Sequence, residues 1–128
     1  MLVSEIFFVS GGVKMKDCLF CKISAGETDT DFVYSDDRVV AFEDINPQAP
    51  VHLLIVPKQH IDDLNHLEEK DNDLLGHVYQ VAKKLADDYD IAETGYRLVS
   101  NCGDDGGQTV NHIHFHLLGG RALQWPPG

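Results

Sequence analysis

The sequence predicts an α+β domain in which a five-stranded antiparallel sheet accompanies one long helix and a short N-terminal helix. Between residues 71 and 89, apolar residues recur every three or four positions, as on the buried face of a helix. Elsewhere, short apolar or alternating runs have the length of strands, and hairpin-length connections join them. Because 43% of the 128 residues are hydrophobic, the chain can bury one core without disulfide bonds.

The first half of the chain predicts the short helix at residues 18–25 and strands at residues 32–34, 39–43 and 51–56. Gly26 ends the helix, and the turn formers from Ser35 to Arg38 predict a hairpin between the first two strands. The third run is almost entirely apolar, which is typical of a central strand, and Pro57 closes it.

The second half predicts the long helix, a strand, a loop and a last strand, at residues 71–89, 96–100, 103–107 and 110–118 respectively. Leu74, Val78 and Leu85 lie on one stripe of the helix, and Asp71 is expected to be its N-cap. The loop is glycine-rich, and the last strand alternates between imidazole and apolar side chains.

Composition restricts the partners. The net charge of −11 argues against nucleic acid or an anionic membrane as the main partner, since both attract clustered lysine and arginine. No run approaches the roughly 20 apolar residues of a membrane-spanning helix. Three cysteines, two of them in a Cys-x-x-Cys pair, favour a reducing, cytoplasmic location. Residues 1–14 are expected to form a peripheral extension, with the domain covering residues 15–128.

Three histidines alternate with apolar residues in the last predicted strand. His112, His114 and His116 would share one face of the strand, with neighbouring residues on that face roughly 6.6 Å apart. Imidazole suits either of two roles here, a nucleophile at phosphorus or a metal ligand. The glycine-rich loop comes directly before, followed by Gln108 and Thr109, and its backbone N–H groups could bind a phosphate.

Residues 106–121 resemble the signature of the histidine triad (HIT) superfamily, which reads here as Gly-Gly-Gln-Thr-Val-Asn-His-Ile-His-Phe-His-Leu-Leu-Gly-Gly-Arg. Residues 44–50 (Asp-Ile-Asn-Pro-Gln-Ala-Pro), Tyr96-Arg97 and the tail 125–128 (Trp-Pro-Pro-Gly) resemble its Hint branch, the purine nucleoside phosphoramidases. The resemblance extends over about residues 17–128. It implies a HIT-like fold and a homodimer in which the long helix and the tail meet the partner.

The resemblance also implies residue roles. It assigns catalysis to His114 as nucleophile, flanked by His112 and His116, with His52 orienting the site and Thr109 supplying a hydroxyl. The family usually has serine at position 109, so the added methyl group alters that position. The nucleotide-binding residues that it implies are Phe20, Ile23, Phe42, Asp44, Ile45, Asn101, Gly107, Gln108, Thr109, His114, His116 and Trp125, the last of which would approach the other subunit's site.

The function implied by the resemblance is hydrolysis of the P–N bond of adenosine or guanosine 5′-phosphoramidates through a nucleotidyl-histidine intermediate. The ligand would be the phosphoramidate or its product, a purine nucleoside monophosphate. Two alternatives remain. One is a dinucleoside polyphosphate hydrolase, against which the Trp-Pro-Pro-Gly tail argues. The other is a zinc-stabilised nucleotide-binding scaffold with little catalysis.

The Cys-x-x-Cys pair forms a candidate zinc site. Cys18 and Cys21 have a spacing that suits zinc if two further ligands are present, and the candidates are His60 and His112. Many microbial HIT proteins resemble this set of two cysteines and two histidines. A closed four-ligand site would be structural, so catalysis would require no cofactor. The alternative is a pair of reduced cysteines without metal.

Overall fold

The structure is a computed structural model that describes residues 17–128, so the predicted extension at residues 1–14 lies outside the described residues. Helix α1 covers Leu19–Ser24 and helix α2 covers Asn72–Asp88. The strands are β1 (Tyr34–Ser35), β2 (Val39–Glu43), β3 (Val51–Pro57), β4 (Tyr96–Val99) and β5 (Phe115–Gly119). Two short 3₁₀ helices, Leu64–His66 and Glu69–Asp71, lead into α2.

The five strands form one antiparallel sheet in the order β1-β2-β3-β5-β4, which confirms the predicted fold class. Strand β3 lies at the centre, between β2 and β5. The predicted β1–β2 hairpin has a clear local cause, because Asp36 Oδ1 accepts the backbone N–H groups of Arg38 (2.7 Å) and Val39 (2.9 Å).

The last strand is shorter than predicted. Strand β5 begins at Phe115, and the chain bends at residues 110–112, so His112 and His114 precede the strand. The physical reason is that Ile113 donates its backbone N–H to the carbonyl of Ile61, at 2.6 Å, instead of pairing within the sheet. The alternation survives the bend, since Ile113, Phe115 and Leu117 all belong to one core cluster.

The sheet has an apolar cluster on each side. On one side, α2 buries a stripe that consists of Leu74, Val78, Val81, Ala82, Leu85 and Ala86. On the other side, Phe20 and Ile23 of α1 pack with Val40, Phe42 and Leu54. The second cluster fixes α1, and with it the Cys-x-x-Cys pair, beside the segment that carries the histidines.

Asp71 is the N-cap residue of α2, as predicted, but its side chain does not cap the helix. The Asp71 carboxylate accepts the backbone N–H of Glu68, at 2.9 Å, and caps no N–H group of the long helix. The preceding 3₁₀ turn explains this difference, because it runs directly into α2 and turns the Asp71 side chain back toward Glu68. Within residues 17–128, no helix is long and apolar enough to span a membrane.

Candidate active site and metal-ligand cluster

Strands β3 and β5 place His52 and His116 side by side. His52 lies opposite Leu118 and His116 lies opposite Leu54 in the antiparallel register, so the two imidazoles occupy neighbouring positions on one face. Their ring centroids are 5.2 Å apart, and His52 Nε2 lies 2.9 Å from His116 Nδ1. The structure therefore places His52, which was predicted to orient the site, beside His116.

The hydrogen bonds assign the proton positions of this pair. Gln48 donates its backbone N–H to His52 Nδ1, at 3.0 Å, so that nitrogen is an acceptor. Neutral His52 consequently carries its proton on Nε2 and donates it to His116 Nδ1. The proton of neutral His116 must then lie on Nε2. Asp44 Oδ2 is 3.4 Å from His52 Nε2 and reinforces the same tautomer.

His114 has the opposite arrangement. Its Nδ1 lies 2.7 Å from the backbone carbonyl oxygen of His112, which can only accept, so His114 donates from Nδ1. The lone pair of His114 is therefore on Nε2. The side chain is buried, with 5% of the residue exposed. Burial lowers the pKa of His114 below its ordinary value, which keeps the imidazole neutral and its Nε2 nucleophilic near neutral pH.

The neighbouring histidines are also held neutral. Burial, together with the nearby His114 and His52, lowers the pKa of His116 to about 4, against the opposing attraction of Asp44. Burial likewise lowers the pKa of His52. A phosphoryl group reaching this face would therefore meet a neutral lone pair on His114 and a neutral N–H donor on His116.

The predicted base-pocket residues divide into two groups. Phe20, Ile23 and Phe42 are buried in the cluster below the histidines, and the Phe20 ring centroid is 4.9 Å from that of His114. Ile45 is fully exposed. Asp44 has a fixed orientation, because its Oδ1 accepts the backbone N–H of Asn46 at 2.8 Å.

The glycine-rich loop adopts a conformation that needs its glycines. Gly103 and Gly107 have φ values of +75° and +81°, and a Cβ atom on Gly106 would lie 2.3 Å from the carbonyl oxygen of Cys102. Gln108 braces the loop: its Oε1 accepts the Gly103 N–H, and its Nε2 donates to the carbonyl of Asp62 at 2.8 Å. The predicted ligand role of the Gln108 side chain thus competes with a structural one.

The predicted zinc ligands converge. The ligand atoms of Cys18, Cys21, His60 and His112 all lie within 4.8 Å of one another. Nδ1 of His112 is 3.3 Å from Cys18 Sγ and 3.5 Å from Cys21 Sγ, and Nδ1 of His60 is 3.2 Å from Cys21 Sγ. These nitrogen–sulfur separations lie within about 0.4 Å of the edge of roughly 3.6 Å expected for a tetrahedron built on usual zinc–nitrogen and zinc–sulfur bonds.

The protonation pattern also suits a metal. Nε2 of His112 lies 2.7 Å from the Pro57 carbonyl oxygen, and Nε2 of His60 lies 2.7 Å from Asp62 Oδ1. Both imidazoles therefore keep their protons on Nε2 and turn the Nδ1 lone pair toward the thiols. The hydrogen bond from the Cys21 thiol lowers the pKa of Cys18, so one thiolate is available. The donor set fits a closed zinc site.

A second group of potential ligands, Asp44, His52 and His116, also lies within 4.8 Å. Here the proton pattern opposes metal binding. Because His52 Nδ1 faces the N–H of Gln48, its Nε2 carries a proton and has no lone pair for a cation. The two clusters are therefore chemically distinct: one offers lone pairs to a metal, and the other forms a hydrogen-bond chain.

A model of the HIT domain matches residues 25–123. The chain belongs to the HIT domain family. It is 50% identical over 113 residues to a HIT-like protein of Synechococcus elongatus, an alignment that covers 88% of this chain and 98% of the relative.

Solved structures agree with this assignment. A HIT family hydrolase from Legionella pneumophila Philadelphia 1 is similar with a TM-score of 0.85 and 53% identity, over 87% of this chain and 99% of that one. A histidine triad nucleotide-binding protein from Candida albicans is similar with a TM-score of 0.73 and 33% identity, over 85% of this chain and 82% of that one.

Three remaining predicted residues of this HIT domain, as the structure describes residues 17–128, form no side-chain hydrogen bond with the triad. Thr109 is exposed and lines a cavity beside Cys18 and His60, and among residues 17–128 its hydroxyl forms no hydrogen bond with the triad. Asn101 is half-buried where β4 leads into the loop. Trp125 is 80% exposed in its own chain.

Two functional groups of this HIT domain escaped the sequence analysis, and both belong to the backbone. The N–H of Gln48 sets the tautomer of His52, and the carbonyl of Pro57 sets that of His112. Any residue type offers the same carbonyl, and any except proline the same N–H, so no side-chain pattern could have indicated them.

Proposed function

We propose that the chain hydrolyses the P–N bond of purine nucleoside 5′-phosphoramidates, with His114 as the nucleophile. The observation that carries the proposal is the hydrogen bond from His114 Nδ1 to the His112 carbonyl, which leaves a neutral lone pair on Nε2. The names of similar proteins support the reaction class and the ligand, since one is a HIT family hydrolase and another a histidine triad nucleotide-binding protein.

The reaction proceeds in two displacements. His114 Nε2 attacks the α-phosphorus, the P–N bond breaks, and the amine leaves after taking up a proton. The imidazole then carries positive charge, which the His112 carbonyl stabilises through the Nδ1–H bond. Water next attacks phosphorus, the bond to Nε2 breaks, a proton is released, and the nucleoside monophosphate departs. His116 donates its Nε2–H to a phosphoryl oxygen during both steps.

The nucleotide is bound by residues on both sides of the histidines. Asp44, whose carboxylate is oriented by the Asn46 N–H, accepts the ribose hydroxyls. The base contacts the apolar group of Phe20, Ile23, Phe42 and Ile45. The phosphate contacts the loop residues Asn101, Gly107, Gln108 and Thr109. Because the Gln108 N–H donates to the Gly103 carbonyl at 3.0 Å and its side-chain amide is also bonded, Gln108 supports the loop, and Thr109 offers its N–H and hydroxyl to the phosphate.

We also infer a structural zinc ion held by Cys18, Cys21, His60 and His112. When bound, the metal would crosslink α1 to the segment before β5 and would leave no open position for substrate. Catalysis then needs no cofactor, because the attacking lone pair belongs to His114. The three cysteines, two of which belong to this ligand set, favour a reducing, cytoplasmic location.

A homodimer completes the proposal. Tyr79 on α2 is 62% exposed and Trp125 in the tail is 80% exposed, so each of the two elements presents a large aromatic side chain at the surface of the single chain. A second copy covering α2 and the tail would bury both. Light scattering of the purified protein tests this directly, and a mass of one chain at micromolar concentration would contradict it.

The decisive experiment follows the release of AMP from an adenosine phosphoramidate. Wild-type protein is expected to turn over, His114→Ala is expected to be inactive, and His66→Ala is the surface histidine control. Full turnover by His114→Ala would exclude His114 as the nucleophile. Faster release from a diadenosine polyphosphate than from the phosphoramidate would instead assign the sister hydrolase activity.

A further inference from the structure

The nucleophilic residue of the proposed reaction sits just outside the regular sheet. The β3–β5 ladder ends at the pair Ile55–Phe115, and the β4–β5 ladder ends at the pair Val99–His116. His114 precedes both pairs, so its main chain lies beyond the last ladder positions. A side chain that must hold Nε2 in line with a phosphorus atom therefore needs support from elsewhere.

Each of the residues 112, 113 and 114 is held by a hydrogen bond to another part of the chain. The ring of His112 is bonded to the Pro57 carbonyl, and Ile113 donates its N–H to the carbonyl of Ile61. The carbonyl oxygen of His114 is 3.0 Å from Ser100 Oγ, and since a carbonyl can only accept, the serine hydroxyl donates.

We propose that Ser100 is a positioning residue for the nucleophile. Beyond the last pair of the β4–β5 ladder, its hydroxyl bonds to the His114 carbonyl and fixes the main chain of His114. This inference rests on the proposed function only for its effect on turnover. Ser100 is the first residue after β4, and the chain continues from it directly into Asn101 and the glycine-rich loop. This hydrogen bond therefore links the main chain of the nucleophile directly to the start of the loop that is proposed to hold the phosphate.

The hydroxyl acts on orientation and not on the chemical step. Ser100 Oγ is occupied by the carbonyl, and among residues 17–128 it has no hydrogen bond to an imidazole that could activate it as a nucleophile. Loss of the bond frees the His114 carbonyl and lets the main chain rotate. The ring turns with it, which weakens the bond from Nδ1 to the His112 carbonyl that selects the reactive tautomer.

The test compares Ser100→Thr with Ser100→Val, since these two side chains have the same shape and only threonine keeps the hydroxyl. For adenosine phosphoramidate we expect Ser100→Val to lose roughly tenfold in kcat with KM within about twofold, because misorientation affects reaction more than binding. Ser100→Thr is expected to stay within about threefold of wild type. Equal kcat for the two variants, whether both high or both low, would overturn the proposal.

An activity-independent readout separates this proposal from the proposed function. In ¹⁵N spectra of the imidazoles, wild type and Ser100→Thr should show His114 protonated at Nδ1, and Ser100→Val should show a mixture of tautomers. If wild-type protein fails to turn over the phosphoramidate, the proposed function fails, and the spectra alone decide the role of Ser100. Identical His114 signals in all three proteins would then contradict it.

Discussion

His52 donates a 2.9 Å hydrogen bond to His116, and the direction of that bond is set from outside the pair by the backbone N–H of Gln48. A neutral imidazole has one donor and one acceptor, so fixing one nitrogen of His52 fixes both nitrogens of His116. Through these two hydrogen bonds, the backbone N–H of Gln48, in the loop before β3, determines which ring nitrogen of His116 carries the proton.

The hydrogen bonds from Gln48 to His52 and from His52 to His116 predict that glutamine and leucine at position 52 have different effects on activity. Glutamine can accept the Gln48 N–H through its oxygen and donate to His116 through its NH₂ group, whereas leucine can do neither. His52→Gln should therefore keep kcat/KM for the phosphoramidate within about threefold, and His52→Leu should lose roughly tenfold or more. The measurement is a steady-state AMP-release assay. Equal losses in both variants would show that the hydrogen-bond direction has no importance.

The lowered pKa of His116 predicts a loss of stability in mild acid. Its folded-state pKa of about 4 lies below the ordinary 6.5, so the unfolded chain takes up the proton first. The contribution is fully present above pH 6.5 and is lost as pH falls toward 4, by at most roughly 3 kcal/mol. The groups facing His116 are His52, His114 and Asp44, and the first two oppose its protonation.

Denaturant unfolding at several pH values between 7.5 and 4.5 measures this effect. Glutamine at position 116 has no titratable group, so His116→Gln should show a smaller decrease in unfolding free energy across that interval than wild type. A proton NMR titration of His116 gives the pKa directly. A midpoint near 6.5, or parallel stability curves for the two proteins, would show that the lowered pKa of His116 does not cause the loss of stability in acid.

Much of this arrangement could be predicted from the sequence. The strand and helix patterns depend on side-chain periodicity, and they predicted the five-stranded sheet, both helices and most of the buried stripe. The first strand was misplaced, because it lies at Tyr34–Ser35 and was predicted at residues 32–34. The Cys-x-x-Cys spacing pointed to Cys18 and Cys21, which the structure places beside His60 and His112. In each case the prediction depended on particular residue types that recur at a fixed spacing in the sequence.

The errors arose where the backbone departs from a regular element. The last strand was predicted to begin at residue 110, but Ile113 bonds to Ile61 and delays the start to Phe115. Alternating side chains are compatible with a strand and with this bent segment alike, so periodicity could not distinguish them. Asp71 occupies the predicted N-cap position of α2, but the preceding 3₁₀ turn uses its carboxylate, so the side chain caps no N–H group of the helix.

The candidate zinc site predicts a difference between two cysteines. Cys21 lies in the ligand cluster, whereas Cys102 lies in the loop outside it. Wild type and Cys102→Ser should each bind about one zinc per chain, and Cys21→Ser should bind much less, because serine is a poor zinc ligand. Without the metal crosslink, Cys21→Ser should also unfold at a temperature several degrees lower.

Metal content by mass spectrometry after gentle chelation and reloading, together with thermal unfolding, provides the comparison. Equal zinc content in Cys21→Ser and Cys102→Ser would show that the cluster is not the binding site. If the wild-type chain takes up no zinc and chelators leave its unfolding temperature unchanged, the pair consists of reduced cysteines without a metal role.

The tight loop at Gly106 predicts that a single methyl group weakens ligand binding. In Gly106→Ala the new Cβ would lie 2.3 Å from the Cys102 carbonyl oxygen and 2.9 Å from its nitrogen, and main-chain atoms cannot move aside as a flexible side chain can. The loop must rearrange, at a cost of about 1–3 kcal/mol, and the residues proposed to contact the phosphate move with it. We expect AMP to bind roughly tenfold more weakly.

Asp105→Ala is the matched control, because it introduces the same methyl side chain at an exposed position of the same loop. Its affinity should stay within about threefold of wild type, since an exposed charge is largely screened. Isothermal titration with AMP measures both variants, and wild-type affinity in Gly106→Ala would show that the loop conformation does not support phosphate binding.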